Sequence, residues 1–216
     1  LQSSEFKYYL ALVLVVTGII TLSVWGSSDD GPGYALRHGA FQAVSILTTT
    51  GYVTADYELW APLAQVLLLI CMFSGGMAGS TGGGIKTMRT LLLGKHNLRE
   101  LKKLVHPRAV IPLKLDGRPV SESVLGGIWG FFLLYLLLML LAALILAGLG
   151  VNPLTAFAAS IACIGNIGPG LGGVGPADNY AHLPLAAKWV LTFCMLLGRL
   201  EIYSVIVLIT PEFWRK

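Results

Sequence analysis

The sequence has 216 residues, of which 55% are hydrophobic and only 12% are charged, and its net charge is +4. Ordinary soluble domains carry about 25% charged residues, and the mean hydropathy of this chain is +0.74. This composition excludes an ordinary soluble domain and indicates an integral membrane protein. The three cysteines, Cys71, Cys163 and Cys194, lie in apolar stretches without metal-ligand spacing. They are predicted to be packing thiols rather than disulfide partners or zinc ligands.

The chain opens with a predicted spanning helix over residues 6–25, flanked by Lys7 and Trp25. A turn-rich acidic loop follows over residues 26–33, and then a short apolar segment over residues 34–47. A segment this short is more typical of a re-entrant helix than of a spanning one, because non-helical backbone at membrane depth must line a cavity or be buried in protein.

The short apolar run ends in a possible ion-binding segment, since residues 41–52 read FQAVSILTTTGY. In potassium channels a Thr-x-Gly-Tyr-type segment offers backbone carbonyl oxygens in place of the ion's hydration shell, and glycine permits the positive φ this needs. Thr49, Thr50, Gly51 and Tyr52 fit that chemistry. The same letters also fit a helix C-terminus closed by Gly51, so the surrounding sequence has to decide.

The next predicted helix, over residues 61–74, stops at the sequence GGMAGSTGGGI, residues 75–85. Glycine costs about 1 kcal/mol per residue in a helix interior, so this tract predicts an intramembrane loop. A helix contact made of small residues is the alternative. A nucleotide P-loop is excluded because Ile85 separates Gly84 from Lys86 and no strand precedes the glycines. Helix is predicted to resume over residues 86–96.

A basic stretch over residues 86–118 separates two apolar regions. It carries nine basic residues against two acids: Lys86, Arg89, Lys95, Arg99, Lys102, Lys103, Arg108, Lys114 and Arg118 against Glu100 and Asp116. The positive-inside rule places it in the cytoplasm, where it would contact lipid headgroups. Nucleic acid is not expected as a partner, because interleaved aromatic residues are missing.

The second half repeats the order of the first. A long apolar helix is predicted over residues 121–149, capped by Ser121 and able to pack closely through Gly126 and Gly130. A short apolar segment over residues 152–163 and the glycine-rich turn IGNIGPGLGGVG, residues 164–175, come next. A third spanning helix is predicted over residues 182–210, before a basic, aromatic end at Trp214, Arg215 and Lys216.

Two crossings per unit return the chain to the same side, so the start, the basic linker and the end are expected in the cytoplasm. The acids expected at the outer mouth, where they would attract cations, are Asp29, Asp30, Asp56, Glu58 and Asp178. Arg199, in the middle of the third predicted helix, would cost at least about 2.5–3.5 kcal/mol if it faced lipid, so we expect a functional role. It either pairs with Glu201 or another acid, or it lines a pore.

Five stretches together resemble a known family: ILTTTGYVTADYELW (46–60), FSGGMAGSTGGGIKTMR (73–89), LDGRPVSESV (115–124), SIACIGNIGPGLG (160–172) and GRLEIYSV (198–205). They are similar to the third and fourth membrane–pore–membrane repeats of the TrkH/KtrB superfamily of potassium transporters, most closely to the C-terminal half of the membrane subunit of bacterial Trk potassium uptake systems. The resemblance covers nearly the whole chain.

The resemblance implies an all-α membrane protein with two tandem helix–pore loop–helix repeats of a pseudo-four-fold, potassium-channel-like pore. The repeats would be residues 1–96 and 121–216, joined by a basic cytoplasmic linker over residues 97–120. Two further repeats would lie upstream of Leu1 in the same polypeptide, and the absence of an initial methionine agrees with that expectation.

The resemblance also assigns residues to a selectivity filter and to a gate. The implied filter residues are Thr49, Thr50, Gly51 and Tyr52 in the first unit, and Asn166, Ile167, Gly168 and Pro169 in the second. Asn166 and Pro169 depart from the Thr-Val-Gly-Tyr pattern of strict potassium channels, so we expect a relaxed filter. The implied gate is the intramembrane loop with Gly75, Gly76, Gly79, Ser80, Thr81, Gly82, Gly83 and Gly84, working with Arg199.

The implied function is potassium uptake across a bacterial inner membrane, with K⁺ as the transported ion and no bound cofactor. A homodimer and a cytoplasmic nucleotide-binding regulatory subunit, TrkA-like, are implied partners. An enzyme is not expected, because no nucleophile–base pair or metal-ligand set lies at membrane depth. The alternatives are a broken-helix secondary transporter, whose repeats are often inverted, and a non-conducting membrane scaffold.

Overall fold

The computed structural model describes residues 3–27, 31–109 and 111–214. Within these residues the chain is almost entirely helical, with one two-stranded hairpin of β1 (Lys114–Leu115) and β2 (Arg118–Pro119). The helices are α1 (Ser4–Trp25), α2 (Gly31–Leu47), α3 (Pro62–Ser74), α4 (Thr87–Val105), α5 (Glu122–Gly148), α6 (Pro153–Ile164), α7 (Leu185–Arg199), α8 (Ile202–Ile209) and α9 (Pro211–Trp214). The predicted outer acids Asp29 and Asp30 and the basic end, Arg215 and Lys216, lie outside the described residues.

Helix length separates two kinds of apolar helix. Among the described residues, α1 and α5, with 22 and 27 residues, are long and apolar enough to cross a membrane. By contrast α2, α3 and α6 have 17, 13 and 12 residues. Each spanning helix is therefore followed by a short one that ends at a glycine-containing turn. The predicted order of helix, pore loop and helix is confirmed in both halves.

The pore helix of the second unit forms the centre of the core. α6 contacts α5, α7 and α3, so it packs against helices of both units. Its Ile161 and Ile164 are fully buried in one apolar cluster with Ile46 of α2 and Leu68 of α3. Because the four side chains come from both units, burying them stabilises the arrangement of the units as well as each unit by itself.

The third predicted spanning helix is not continuous, contrary to the prediction of one helix over residues 182–210. α7 ends at Arg199 and α8 begins at Ile202 with a bend of 106°. Glu201 has a φ of 57°, which an α-helix cannot include. Its carboxylate lies 3.0 Å from the Arg89 guanidinium on α4. Arg199 is thus the last residue of a helix and not a mid-helix residue.

The predicted helix end at residue 96 is also wrong, because α4 continues to Val105. Arg99 anchors this part of α4: its side chain is 7% exposed, and its Nη1 lies 2.7 Å from Glu122 Oε1 at the start of α5. An ion pair that holds the far end of α4 against α5 favours further helix over an open linker.

The predicted close packing at Gly126 and Gly130 is confirmed at one position only. A Cβ on Gly130 would lie 2.5 Å from the Tyr203 hydroxyl of α8, whereas a Cβ on Gly126 would meet nothing within 4 Å. The predicted cap of α5 is present, since Ser121 Oγ accepts the Val124 N–H at 3.5 Å. α5 therefore packs closely on the bent α8 segment, at the second of the two glycines.

The hairpin is tied to the beginning of the chain. Asp116 and Gly117 form its turn with φ values of 48° and 80°, and Asp116 Oδ1 accepts the Ser4 N–H of α1 at 2.7 Å. A carboxylate at a helix N-terminus is stabilised by unpaired N–H groups and by the helix dipole. The bonds from Ser4, with the nearby Lys95 and Lys7, lower the pKa of Asp116 below its ordinary value.

The Asp116→Asn variant should test this tie, because asparagine also tolerates a positive φ and keeps the turn. At neutral pH the wild type should have a higher thermal unfolding midpoint in detergent than the variant. The pKa of Asp116 is lower in the folded protein than in the unfolded protein. The extra stability of the wild type is therefore complete above the pKa of the unfolded state. It is lost as the pH falls through the lower pKa of the folded state. Unfolding midpoints of both proteins measured from neutral pH to about pH 3 check this. A gap that does not narrow at acid pH would contradict the tie.

Candidate functional site

The predicted filter segments, residues 49–52 and 166–169, follow α2 and α6 with the same backbone hydrogen bonds. The Thr50 N–H donates to the Ser45 carbonyl at 2.8 Å, and the Ile167 N–H donates to the Ala162 carbonyl at 2.9 Å. In each case an N–H reaches back five residues, to the last turn of the pore helix. Thr50 and Ile167 are therefore equivalent positions in the two units.

The backbone angles repeat as well. Thr49 and Asn166 have φ values of 55° and 54°, and Gly51 and Gly168 have φ values of 78° and 108°. Threonine at a positive φ is strained, whereas asparagine tolerates it. Two residues with a positive φ, separated by one residue, turn the chain sharply away from the helix axis, so neither segment continues its helix.

The two segments meet each other. A Cβ on Gly51 would overlap the Ile167 carbonyl oxygen and would lie 3.2 Å from Pro169 Cδ. Only glycine fits at this contact, both for space and for its φ. The two predicted filter segments are therefore in direct contact, at Gly51 of the first and Ile167 of the second.

Several carbonyl oxygens at this site have no partner. Within the part of the chain that the structure describes, no donor reaches the carbonyls of Thr49, Thr50, Gly51, Asn166 or Ile167. Of these residues Ile167 is buried, Thr49, Gly51 and Asn166 are half-buried and Thr50 is exposed, so their oxygens are open to a ligand, an ion or water. These oxygens are chemically suited to replace the hydration shell of a monovalent cation.

One carbonyl in each segment is bound by a hydroxyl group of the protein. The Tyr52 carbonyl accepts the Ser45 hydroxyl at 2.6 Å, and the Tyr52 side chain is 73% exposed. In the second segment the Gly168 carbonyl accepts the Tyr180 hydroxyl at 2.6 Å. These two carbonyls are held by the protein itself and are less available to an ion.

The glycine loop, residues 75–85, interrupts the helix between α3 and α4. Its ends are close together, because the Ile85 N–H donates to the Phe73 carbonyl at 3.2 Å and the Thr87 N–H donates to the Gly76 carbonyl at 3.0 Å. A Cβ on Gly84 would lie 2.9 Å from the Gly75 Cα. The chain therefore turns back on itself, which confirms a loop here and excludes a continuous helix of small residues.

The glycine loop packs directly on both filter segments. The Gly83 N–H donates to the Thr49 hydroxyl at 3.2 Å, and a Cβ on Gly83 would overlap the Gly165 carbonyl oxygen. A Cβ on Gly82 would lie 2.7 Å from Thr49 Oγ1. The loop therefore lies against the ends of the segments that adjoin the pore helices, with no space for larger residues.

Two side-chain cations hold three successive carbonyl groups of the loop. Arg199 Nη1 donates to the Thr81 carbonyl, and Lys86 Nζ donates to the carbonyls of Ser80 at 2.7 Å and Gly82 at 2.5 Å. Hydrogen bonds from ionised donors are stronger than neutral ones. The predicted meeting of Arg199 with the glycine loop is thus present. Lys86 was missed, although a lysine directly after a glycine tract was the available signal.

The other arrangement considered for Arg199, an ion pair with Glu201, does not occur. Glu201 pairs with Arg89, and the Arg89 guanidinium also lies 4.0 Å from the centre of the Phe131 ring. Arg199 instead faces a small cavity of about 190 Å³ that it shares with Thr81, Lys86 and Glu201. Its charge is therefore directed at the loop.

Not all of the predicted loop residues contact the filter. Gly79 and Ser80 belong to a turn within the loop: a Cβ on Gly79 would meet nothing within 4 Å, and the Ser80 N–H donates to the Met77 carbonyl at 3.0 Å. Gly75 and Gly76 lie where the loop closes on itself. A Cβ on Gly75 would overlap the Gly83 carbonyl oxygen.

Two further residues support the site but were not predicted. Glu5 is buried on α1, and its carboxylate accepts the Ala78 N–H of the loop at 2.6 Å. Gly198 lets α7 approach the end of α6, because a Cβ there would overlap the Ile164 carbonyl oxygen and would lie 2.8 Å from Asn166 Nδ2. The sequence signals were an acid at the edge of an apolar helix and the Gly–Arg pair at 198–199.

Comparison with known proteins gives a consistent result. A family model described as TrkH, cation transport protein, matches residues 10–216. The chain is 44% identical over 216 residues to the Trk system potassium uptake protein TrkH of Salmonella typhimurium, and 42% identical to that of Escherichia coli K12. Each alignment covers the whole of this chain and 44% of the relative. The chain therefore spans less than half the length of these curated relatives.

A solved structure agrees. The fold matches the crystal structure of the potassium transporter TrkH from Vibrio parahaemolyticus with a TM-score of 0.91 and 41% sequence identity. The match covers 99% of this chain and 45% of that chain. The predicted all-α membrane fold of helix and pore-loop units is confirmed.

The contact between α7 and the end of α6 can be tested with Gly198→Ala. Because a backbone carbonyl occupies the position of the new Cβ, we expect a loss of about 1–3 kcal/mol of stability, seen as a lower unfolding midpoint in detergent. Gly18→Ala in α1 is the matched control, since a Cβ there meets nothing within 4 Å, and it should be neutral or slightly stabilising. Equal midpoints for the two variants would contradict the close approach.

Proposed function

Because this chain belongs to the TrkH family of cation transport proteins, we propose that it forms part of a pore for potassium uptake. The observation that carries the proposal is the row of unpaired carbonyl oxygens where the two filter segments meet. The relatives are named potassium uptake proteins, which supports K⁺ as the ion. The pore would be passive, with no covalent step and no cofactor.

In this proposal the filter replaces water around the ion. Carbonyls of Thr49, Thr50 and Gly51 from one unit, and of Asn166 and Ile167 from the other, would coordinate a dehydrated cation. A complete ring would need two more segments, which the upstream half of the polypeptide would provide. Because the carbonyls of Tyr52 and Gly168 are occupied by hydroxyl groups, we expect fewer coordinating oxygens than in a strict potassium channel, and so a relaxed filter.

The glycine loop and Arg199 would form the gate. The loop lies across the ends of both filter segments, and Arg199 places a fixed positive charge on the Thr81 carbonyl. Two like charges 4 Å apart repel by about 4 kcal/mol at an effective dielectric of 20. A cation leaving the filter would therefore meet both a steric and an electrostatic barrier, and opening would require the loop to move.

The order of the elements favours this pore over a transporter built from inverted repeats. Both units run from a long apolar helix to a pore helix, a filter segment and an interrupted helix. The loop residue Gly83 donates to Thr49 of the first segment, and a Cβ on Gly83 would lie 3.1 Å from Asn166 Cβ, the equivalent position of the second. Tandem units of one orientation have this order, whereas the repeats of many secondary transporters are inverted.

The remaining features rest on the family resemblance. The basic face of α4 and the hairpin would lie in the cytoplasm of a bacterium, beneath the inner membrane. A homodimer and a TrkA-like nucleotide-binding ring, docked on these inner surfaces, would complete the assembly and control opening.

Removing the gate charge should raise the flux. We expect Arg199→Ala in the complete gene product, reconstituted in liposomes, to increase ⁸⁶Rb⁺ or K⁺ uptake by about 10- to 100-fold, the factor for one lost charge-assisted hydrogen bond of about 1.5–3 kcal/mol. A short deletion within residues 75–84 should act in the same direction. Lys188→Ala is the control, since this cation lies near the other end of α7 and donates to Ala181 at 2.6 Å. Unchanged flux in both gate variants would refute the gate.

Blocking the filter should stop ion flux whether or not the gate charge is present. Gly51→Ala should abolish flux, because a Cβ there overlaps the Ile167 carbonyl and the φ of 78° is strained. The double variant Gly51→Ala/Arg199→Ala should stay closed. Gly117→Ala is the control. It introduces the same kind of backbone strain, at a φ of 80° in the hairpin, but its Cβ would meet nothing within 4 Å and does not touch the filter. Flux in the double variant equal to that in Arg199→Ala would place the ion path elsewhere.

A further inference from the structure

The two filter segments are supported differently. In the first unit the pore helix supports its own segment: Ser45 Oγ donates to the Tyr52 carbonyl at 2.6 Å, and Gln42 Nε2 donates to the Ala55 carbonyl at 2.9 Å. The matching backbone bonds make Ala162 and Ala159 of α6 the equivalent positions in the second unit. Alanine has no side-chain donor, so these two positions of α6 cannot bind a carbonyl of the segment. The side-chain bond from α6 to the following stretch is made by Thr155 instead, whose hydroxyl accepts the Gly173 N–H at 3.0 Å.

Hydrogen bonds from other parts of the chain replace the missing ones. The Tyr180 hydroxyl, from the outer loop of the second unit, holds the Gly168 carbonyl at 2.6 Å. Two further bonds come from the first unit. The Tyr57 hydroxyl donates to the Gly170 carbonyl at 2.7 Å, and the Glu58 carboxylate accepts the Gly172 N–H at 2.5 Å. The second filter segment and the stretch that leaves it are therefore held from both units, and two of the bonds come from residues of the first.

The turn that presents Tyr57 and Glu58 is itself fixed. The Asp56 side chain accepts the Glu58 N–H at 3.0 Å, and Gln65 Nε2 on α3 donates to the carbonyls of Glu58 at 2.7 Å and Trp60 at 2.9 Å. The Tyr57 side chain is fully buried. A buried hydroxyl on a braced turn has one orientation, so it can set the position of the carbonyl that it binds.

Packing around the Glu58 carboxylate is equally close. A Cβ on Gly175 would overlap the carboxylate, so only glycine fits beside it. Burial raises the pKa of Glu58, the Gly172 N–H lowers it in part, and the neighbouring Asp56 and Asp178 raise it again. The carboxylate is thus a partly buried acceptor that lies in close contact with Gly175.

We infer that Tyr57 and Glu58 are positioning residues for the second filter segment, which they hold from the first unit. They contact no ion in this arrangement. They fix the stretch after Pro169 and thereby the carbonyls of Asn166 and Ile167, the second of which lies against Gly51 of the first segment. The inference rests on the proposed function, because those carbonyls select the ion only if the segment is a filter.

The test uses the complete gene product and two measurements. Hydrogen–deuterium exchange of the peptide over residues 168–175 reports the brace without requiring transport. The ratio of Na⁺ to K⁺ flux in liposomes reports selectivity and is insensitive to the amount of folded protein. The variants are Tyr57→Phe and Glu58→Leu, which each remove one bond, and Glu58→Gln, which keeps an acceptor.

Tyr135→Phe is the matched control, because Tyr135 is also a fully buried tyrosine but its hydroxyl has no hydrogen-bond partner among the described residues. We expect Tyr57→Phe and Glu58→Leu to increase exchange in the peptide, and Tyr57→Phe to raise the Na⁺/K⁺ ratio about fivefold, the factor for one lost neutral hydrogen bond. Glu58→Gln and Tyr135→Phe should retain wild-type exchange and selectivity.

Two results would overturn the inference. Exchange in Tyr57→Phe equal to that of the wild type would show that no brace exists. Increased exchange with an unchanged flux ratio would show that the brace does not position the filter. A wild-type protein that passes no monovalent cation would contradict the proposed function and the selectivity role with it, and the exchange data would still decide whether the brace exists.

Discussion

Backbone that leaves a helix at membrane depth must find partners for its polar groups, and this constraint shapes the whole chain. The structure meets it in two ways. The loop carbonyls of Ser80, Thr81 and Gly82 are bound by the side-chain cations Lys86 and Arg199. The carbonyls at the meeting point of the two filter segments have no donor from the described protein. Both sets are satisfied by positive charge, supplied by the protein in one case and proposed to be supplied by the transported ion in the other.

Much of the architecture could be predicted because short apolar runs that end in glycine have few stable solutions in a membrane. The lengths of α2 and α6 and the glycine tract after α3 were sufficient to predict pore helices and a broken helix. The break between α7 and α8 could not be predicted, because the apolar run continues through it. It depends on the positive φ of Glu201 and its ion pair with Arg89, 112 positions earlier in the chain, and a local pattern does not contain that contact.

At the candidate site, too, some features could be predicted from the sequence and others could not. Motifs were enough to predict candidate filter residues, but not to predict what each side chain contacts. Thr49 and Asn166 occupy equivalent backbone positions with nearly the same φ. The Thr49 hydroxyl accepts the Gly83 N–H of the loop, whereas Asn166 Nδ2 donates to the Met195 carbonyl of α7 at 3.1 Å. The departure from threonine therefore preserves the backbone and changes the neighbour, a distinction that requires tertiary structure.

The unequal support of the two filter segments bears on how such a chain can evolve. Matching backbone bonds in the two units are what duplication of one ancestral unit would produce. The second unit has alanines at positions 159 and 162, where the first unit has Gln42 and Ser45, and part of its support comes from Tyr57 and Glu58 of its neighbour. The copies are consequently no longer interchangeable. A gene rearrangement that repeated or reordered them would separate a filter segment from its support, even with every filter residue retained.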